Sequence, residues 1–251
     1  MADLFPKPDG TGGKFAGFVE VAKRMRRSRP RQPEPPAVDL LPHARRWYRA
    51  ADRQPLADEL GVDVQALDQL RVGRATADDL AGLGNAPRPA WTWPMRDGAN
   101  NVIGVRLRYD DGSKRAVIGS RQGLFYVADV QPVDELLYVV EGCSDAAAMF
   151  TLGFNNVIGL PSAGQGADLL ALLTQRLSPP TPRCILIADR DEPGIAGMER
   201  VARQLARWGV ACRVTEPPGT AGDVRGYLNA GGDAAGILML AEGEAEREVA
   251  V

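Results

Sequence analysis

Two short apolar runs, Leu136–Val140 and Cys184–Ala188, each end directly on an acid. Glu141 follows the first; Asp189 follows the second, with Asp191 two residues on. Runs this short and this apolar read as buried strands. The segments around them alternate. Ser144–Leu152 reads as a helix, Asn156–Leu160 as a strand, Asp168–Arg176 and Gly194–Trp208 as helices, and Val210–Val214 as a strand. Such β-α-β-α alternation predicts an α/β fold, a mostly parallel sheet with helices on both faces. Ligands of open parallel sheets gather outside the carboxyl ends of the strands, where these acids fall. Two aspartates at i and i+2 in extended chain face the same side. Glu141 from a neighbouring strand completes an oxygen set suited to Mg²⁺. Three carboxylates this close repel one another strongly at low dielectric, and a dication removes that cost. The bland alternative is helix capping, which is open to Asp145 and Asp191.

The preceding stretch has a different period. Ala90–Met95 is extended and leads to a turn at Asp97-Gly98. Val102 to Tyr109 then alternates, with Val102, Gly104, Arg106 and Arg108 on one side and Ile103, Val105, Leu107 and Tyr109 on the other. Asp111-Gly112 is a hairpin signal, after which Lys114–Ile118 returns. Arg96, Arg106, Arg108, Lys114, Arg115 and Arg121 lie on this small sheet or its edges, opposed by turn acids alone. A solvated face and a phosphate-binding face are about equally good readings of that charge. Trp91 and Trp93 suit base stacking, but core packing suits them better.

Before residue 87 the chain divides again. From Met1 to Arg53 there are 12 Lys/Arg and 6 Asp/Glu, a balance of +6, and Lys23–Arg31 with its following prolines reads as a flexible basic arm over 1–38. Such an arm would also attract nucleic-acid phosphates. Residues 39–86 read as a short helical segment. Leu40–Ala51 is one helix, and Pro55–Leu70 gives two more, broken at Gly61, with Leu56, Leu60, Val64, Leu67 and Leu70 at helical intervals. A DNA-reading helix is a poor fit, since Val64–Leu70 offers Asp68 and Gln69 and no cation before Arg71. The expected organisation is completed by a β-rich basic part at 87–132, the parallel α/β part at 133–230 and an Ala/Glu-rich tail at 231–251.

Composition narrows the chemistry. Three distant cysteines, Cys143, Cys184 and Cys212, and one histidine, His43, leave no set for a zinc finger or a disulfide framework, as expected of a cytoplasmic chain. Cys143 has no histidine partner that would make it a nucleophile, and Ser162 reads as a loop residue near the site. No apolar run reaches the roughly 18 residues that span a bilayer, so no membrane partner is expected.

The segment Glu141-Gly142-Cys143-Ser144-Asp145 resembles the Glu-Gly motif of TOPRIM domains. Asp189-Arg190-Asp191-Glu192-Pro193-Gly194 resembles their Asp-x-Asp motif, and Asp223-Val224-Arg225-Gly226-Tyr227-Leu228 a later Asp-containing segment of primases. Together these cover roughly 136–228. The resemblance continues back through Trp93-Pro94-Met95-Arg96-Asp97-Gly98 to the β-rich basic part that precedes TOPRIM in bacterial, phage and plasmid primases. It implies a Rossmann-like TOPRIM fold with Glu141, Asp189 and Asp191 as catalytic, metal-holding acids and Asp223 as a further ligand. The cofactor would be Mg²⁺ or Mn²⁺, with no zinc. Arg96, Arg106, Arg108, Lys114 and Asp145 would contact nucleotide or nucleic acid. The implied partners are a single-stranded DNA template, nucleoside triphosphates and a replicative helicase.

Three features depart from that family. No cysteine precedes Cys143, where a zinc-binding module would need them. Arg225 and Gly226 stand where a second acid is expected. No phosphate-binding Gly-x-x-x-x-Gly-Lys-Ser/Thr loop follows. The resemblance therefore implies a primase-like nucleotidyltransferase, with a TOPRIM nuclease or a non-catalytic single-strand-binding replication accessory protein as alternatives.

Overall fold

The structure is a computed structural model that describes Pro30 and residues 38–242, apart from positions 163, 179, 181 and 182. The expected basic arm, save Pro30 and Val38, and residues 243–251 of the tail lie outside the described residues.

Helix α1 (Leu41–Ala50) carries Pro42 in its first turn, where a missing N–H costs nothing. Helices α2 (Gln54–Leu60) and α3 (Val64–Gln69) follow, separated at Gly61, whose φ of +67° ends α2 in the left-handed region that glycine enters freely. The leucines of the predicted interval are buried, with Leu56, Leu60 and Leu67 all at 1 % exposure or less, while Val64 at the start of α3 is exposed. These leucines form no independent module. They share one core with Trp91 and Trp93 and with the strand and helix that begin the parallel half. Both tryptophans are therefore packing residues.

An antiparallel sheet comes next, in the order β1 (Gly73–Ala75), β2 (Ala90–Arg96), β3 (Val102–Tyr109), β4 (Lys114–Ala116). Helix α4 (Ala77–Ala81) lies between β1 and β2 and opens with a capping box, Thr76 and Asp79 each accepting from the other's N–H. At the β2–β3 turn, one Asp97 carboxylate oxygen accepts from the N–H groups of Ala99 and Asn101, as an aspartate in a tight turn does.

The second half is the predicted parallel sheet. Its elements run β5 (Leu136–Glu141), α5 (Cys143–Thr151), β6 (Val157–Leu160), α6 (Ala167–Thr174), β7 (Arg183–Ile187), α7 (Glu192–Arg207), β8 (Cys212–Thr215), α8 (Val224–Asn229) and α9 (Ala234–Glu242). The strand order is β6-β5-β7-β8 and every pairing is parallel. Alternate β5 residues face two cores. Tyr138 and Val140 join α5 and the N-terminal leucines; Leu137 and Val139 join α6 and α7. Helices thus cover both faces, which is why β5 and β7 read as unbroken apolar runs.

One segment locks the two sheets together. Leu124 bridges to Arg96 at the end of β2, and the next residue, Phe125, exchanges both backbone hydrogen bonds with Gly159 on β6. That clamp ties the antiparallel sheet to the carboxyl end of β6.

Candidate acidic centre and its basic face

Five elements of the parallel half bring acids to one place. Glu141 is the last residue of β5, Asp189 lies two residues beyond β7, Asp145 sits in the first turn of α5, and Asp191 and Asp223 precede α7 and α8. Gly142, at φ +93°, turns the chain sharply between Glu141 and α5, a conformation that β-carbon sterics deny other residues. Gly194 meets a related demand. A β-carbon there would fall 2.7 Å from the Asp189 carbonyl oxygen and 2.9 Å from Asp191 Oδ1, so only glycine lets α7 start this close to the acids.

Asp191 and Asp223 do cap helices. Asp191 Oδ1 accepts from the Gly194 N–H at 2.6 Å, and Asp223 Oδ1 from the Gly226 N–H. Asp145 does not cap its own helix. It is 4 % exposed, and its Oδ1 accepts from the Arg225 N–H at 3.0 Å, across 80 residues of sequence. Capping and site membership are thus not alternatives. Each of these three side chains commits one oxygen to a backbone N–H, and the second oxygen of Asp223 lies within ion-pair distance of Arg225.

The electrostatics show that these charges act on one another. Burial pushes Asp189 up to about 8, reinforced by the negative charges of Asp145, Glu141, Asp223 and Asp191. Burial likewise raises Asp145 to about 7, and the Asp223 carboxylate adds to it, while the Arg225 N–H, the Arg225 guanidinium and Lys114 oppose the rise. Arg225 Nη2 lies 3.9 Å from Asp223 Oδ2. Arg225 and Gly226, which break the family pattern in the sequence, thus have work here: their N–H groups hold Asp145 and Asp223.

All these donors are carboxylate oxygens, the chemistry a hard divalent cation takes. Among the described residues no three acidic, histidine or cysteine side chains are grouped tightly enough to hold a metal ion as they stand. The donor chemistry fits such a cation. Cys143 is buried beside this group and burial pushes its thiol up to about 11, far from a nucleophile at neutral pH.

The six cations expected on the β-rich part do not form one surface. Cross-strand partners share a face. Arg106 opposes Trp93, and Arg108 opposes Trp91 on one side and Lys114 on the other, so these three cations point with the tryptophans toward the acidic half. Both Lys114 and Arg106 act electrostatically on Cys143, and Lys114 also on Asp145. Arg106 donates to the Pro161 carbonyl oxygen at 2.9 Å, and Arg108 pairs with Glu59 at 2.6 Å. Arg115 opposes Leu107 and so points away. Arg96 stands apart as well. It lies five residues along β2 from Trp91, about 17 Å at ~3.4 Å per residue, and hydrogen-bonds to Asn100.

Comparison with known proteins places the arrangement. The fold is that of a primase catalytic core. The chain superposes on the Aquifex aeolicus primase (zinc-binding and RNA polymerase domains) with a TM-score of 0.64 and 18% identity, over 80% of this chain and 59% of that one, so it spans less than two thirds of that structure. The DnaG catalytic core gives 0.60 and 17% identity, over 80% and 77% of the two chains. The RNA polymerase domain of Mycobacterium tuberculosis primase DnaG, in complex with a double-stranded DNA oligomer bearing a 6-nucleotide overhang, gives 0.59 and 19%, over 85% and 83%. Residues 138–228 match the Toprim-like family model. No curated protein sequence matches the chain.

Proposed function

We propose that this chain is a primase-like nucleotidyltransferase that makes short primers on single-stranded DNA. The observation that carries the reading is the meeting of five carboxylates at the strand ends with a cationic face, Lys114, Arg106 and Arg108, set over them. In the reaction a 3′-hydroxyl attacks the α-phosphate of an incoming nucleoside triphosphate, a phosphodiester forms and pyrophosphate leaves. Glu141, Asp189 and Asp191 would hold Mg²⁺ or Mn²⁺, with the second oxygens of Asp145 and Asp223 in reserve. The ion would supply positive charge against the phosphates. Lys114 is exposed, so its ammonium can meet a triphosphate. Arg108 reaches it by exchanging Glu59 for phosphate, and Arg106, anchored on Pro161, holds the loop after β6 in place. The DNA in the mycobacterial structure supports a nucleic-acid substrate, and the T7 primase fragment, from a primase-helicase protein, supports a helicase as the working partner.

The test is incubation with single-stranded templates, labelled nucleotides and Mg²⁺. Short labelled oligonucleotides are expected, and they should vanish with Glu141→Gln. Template cleavage instead would reassign the same acids to a nuclease, and binding without either would make the chain an accessory protein. Unchanged primer synthesis by Glu141→Gln would refute the site.

A further inference from the structure

We propose a second phosphate-binding site, separate from the acidic centre, in the cavity between α1 and the β2–β3 turn. The cavity has a volume of about 670 Å³ and is lined by Arg45, Arg49, Arg71 and Arg96 with Asn100 and Asn101. Its size is that of a pocket for one small organic ligand or a nucleotide unit. Asp39 is the one acid on its wall, and Asp39 Oδ1 already accepts from the Leu41 N–H.

The distribution of counter-ions sets this place apart. Arg46, Arg74, Arg88 and Arg108 each have a carboxylate within 3 Å. None of the four cavity arginines has a carboxylate within ion-pair distance among the described residues. Four like charges turned toward one concavity repel one another, and an anion is the natural relief.

The cations are also held in position. Arg45 and Arg49 lie one helical turn apart, on the same face of α1. Arg71 has φ +58°, the left-handed region that bulky side chains avoid. Its guanidinium lies 4.8 Å over the Tyr48 ring and donates to the Tyr48 hydroxyl. Arg96 Nη1 is tied to the Asn100 side-chain oxygen at 3.1 Å. Burial lowers the pKa of Arg96, Tyr126 opposes that shift and the Arg71 cation adds to it, so the two guanidiniums repel each other across the cavity. A lone carboxylate would satisfy one or two of these forks. Four of them, spread round the cavity, suit the several oxygens of linked phosphates, which arginine binds two at a time. The ligand class is therefore phosphates in series, carried by a single-stranded polynucleotide backbone or by a free nucleoside triphosphate. The site stands on charge and shape, and it holds whether or not the acidic centre transfers nucleotides.

The test measures binding by the full chain without divalent metal, in EDTA. The probes are a fluorescent oligo-dT of about 12 nucleotides and ATP. Arg45 and Arg71 are exposed, so the double variant Arg45→Glu/Arg71→Glu is expected to keep the wild-type melting temperature. It should weaken binding about tenfold or more and flatten the salt dependence by roughly one power of salt per arginine. Loss for oligo-dT alone assigns the backbone, loss for ATP alone assigns the free nucleotide, and loss of both assigns their shared phosphates. Should the double variant misfold, Arg49→Gln supplies the same reading at an exposed helix position. A folded variant that binds both probes as wild type does would overturn the site. So would loss of binding in Glu141→Gln with the arginines intact, because that would put the phosphates at the acidic centre.

Discussion

In the parallel half every acid of the site sits at a strand end or at the start of the helix that follows. In the antiparallel half the cations facing them stand on the strands themselves. The difference extends to neutralisation. Arg225 and Lys114 are the cations that temper Asp145, and Asp189 meets four further carboxylates. In the antiparallel half, Arg108 pairs with Glu59, and nearby Arg74 and Arg88 pair with Asp110 and Asp111. One region stores like-charge repulsion; the other holds its charges in exchangeable pairs. A cation entering the first and a phosphate entering the second would each lower the energy of the region it enters.

That contrast depends on the two halves being one packed body, and Trp93 is where to break it. It is 1 % exposed, lies on β2 and shares a core with Val140 of β5 and with α5. Trp93→Ala is expected to cost about 3–5 kcal/mol of stability, measured by chemical denaturation, and to abolish activity at the temperature where the variant unfolds. Leu205→Ala, in the core beneath α7, should cost about 2–5 kcal/mol in the same single transition. Two separate transitions in the Trp93 variant would mean that the sheets fold independently.

Next in size is the acidic centre. Asp189→Asn removes the carboxylate that most of the others bear upon, and primer synthesis should fall by about 10²–10³-fold with the fold intact by circular dichroism. Retained synthesis would leave the acids as capping and structural groups.

A smaller effect sharpens the electrostatic half of the comparison. Asp189 and Asp145 titrate at about 8 and about 7 in the folded chain, above the ~4 of an unfolded aspartate. Between those values the native state binds more protons than the unfolded one, so stability falls as pH rises. The contribution is whole below about pH 4 and is lost through pH 7 to 8. In EDTA the melting temperature should decline across that window, and Mg²⁺ should restore much of it. Asp189→Asn should flatten the metal-free decline. A metal-free melting temperature that rises from pH 5 to 8 would contradict the crowding.

What the sequence disclosed, and what it hid, follows from the range of the interactions. The strand-end acids were legible because apolar runs and parallel-sheet chemistry are local patterns. The shared face of Arg106 and Arg108 followed from strand alternation. Asp145 was expected among the nucleotide contacts, and the fold sets it inside the acid group. Its depth is set by the docking of α8, through an N–H 80 residues away that no local period records. Arg96 was grouped with the other strand cations, but the register shifts between Met95 and Arg96, leaving Ile103 as the extra residue opposite. Such a bulge re-aims a side chain without changing the residue pattern. The four-arginine cavity was invisible for a related reason: Arg45, Arg71 and Arg96 belong to three segments that meet only in the fold. β1 and α4, at three and five residues, are too short for a periodic signal.

The smallest expected effect concerns the exchangeable pairs. Glu59 is 46 % and Arg108 17 % exposed by side chain, so their ion pair is worth about 0.5 kcal/mol or less. Glu59→Gln should leave stability within that margin. If Arg108 meets phosphate by giving up Glu59, removing the competing carboxylate should tighten oligo-dT binding about twofold, corresponding to that same ~0.5 kcal/mol. Arg108→Gln should weaken binding, and adding Glu59→Gln in that background should change little, since the two side chains act through one contact. Weaker binding by Glu59→Gln alone would mean that Arg108 needs its carboxylate to stay in position. The cations of the antiparallel sheet would then be scaffolding, and the opposition of strained acids to exchangeable cations would fail on its basic side.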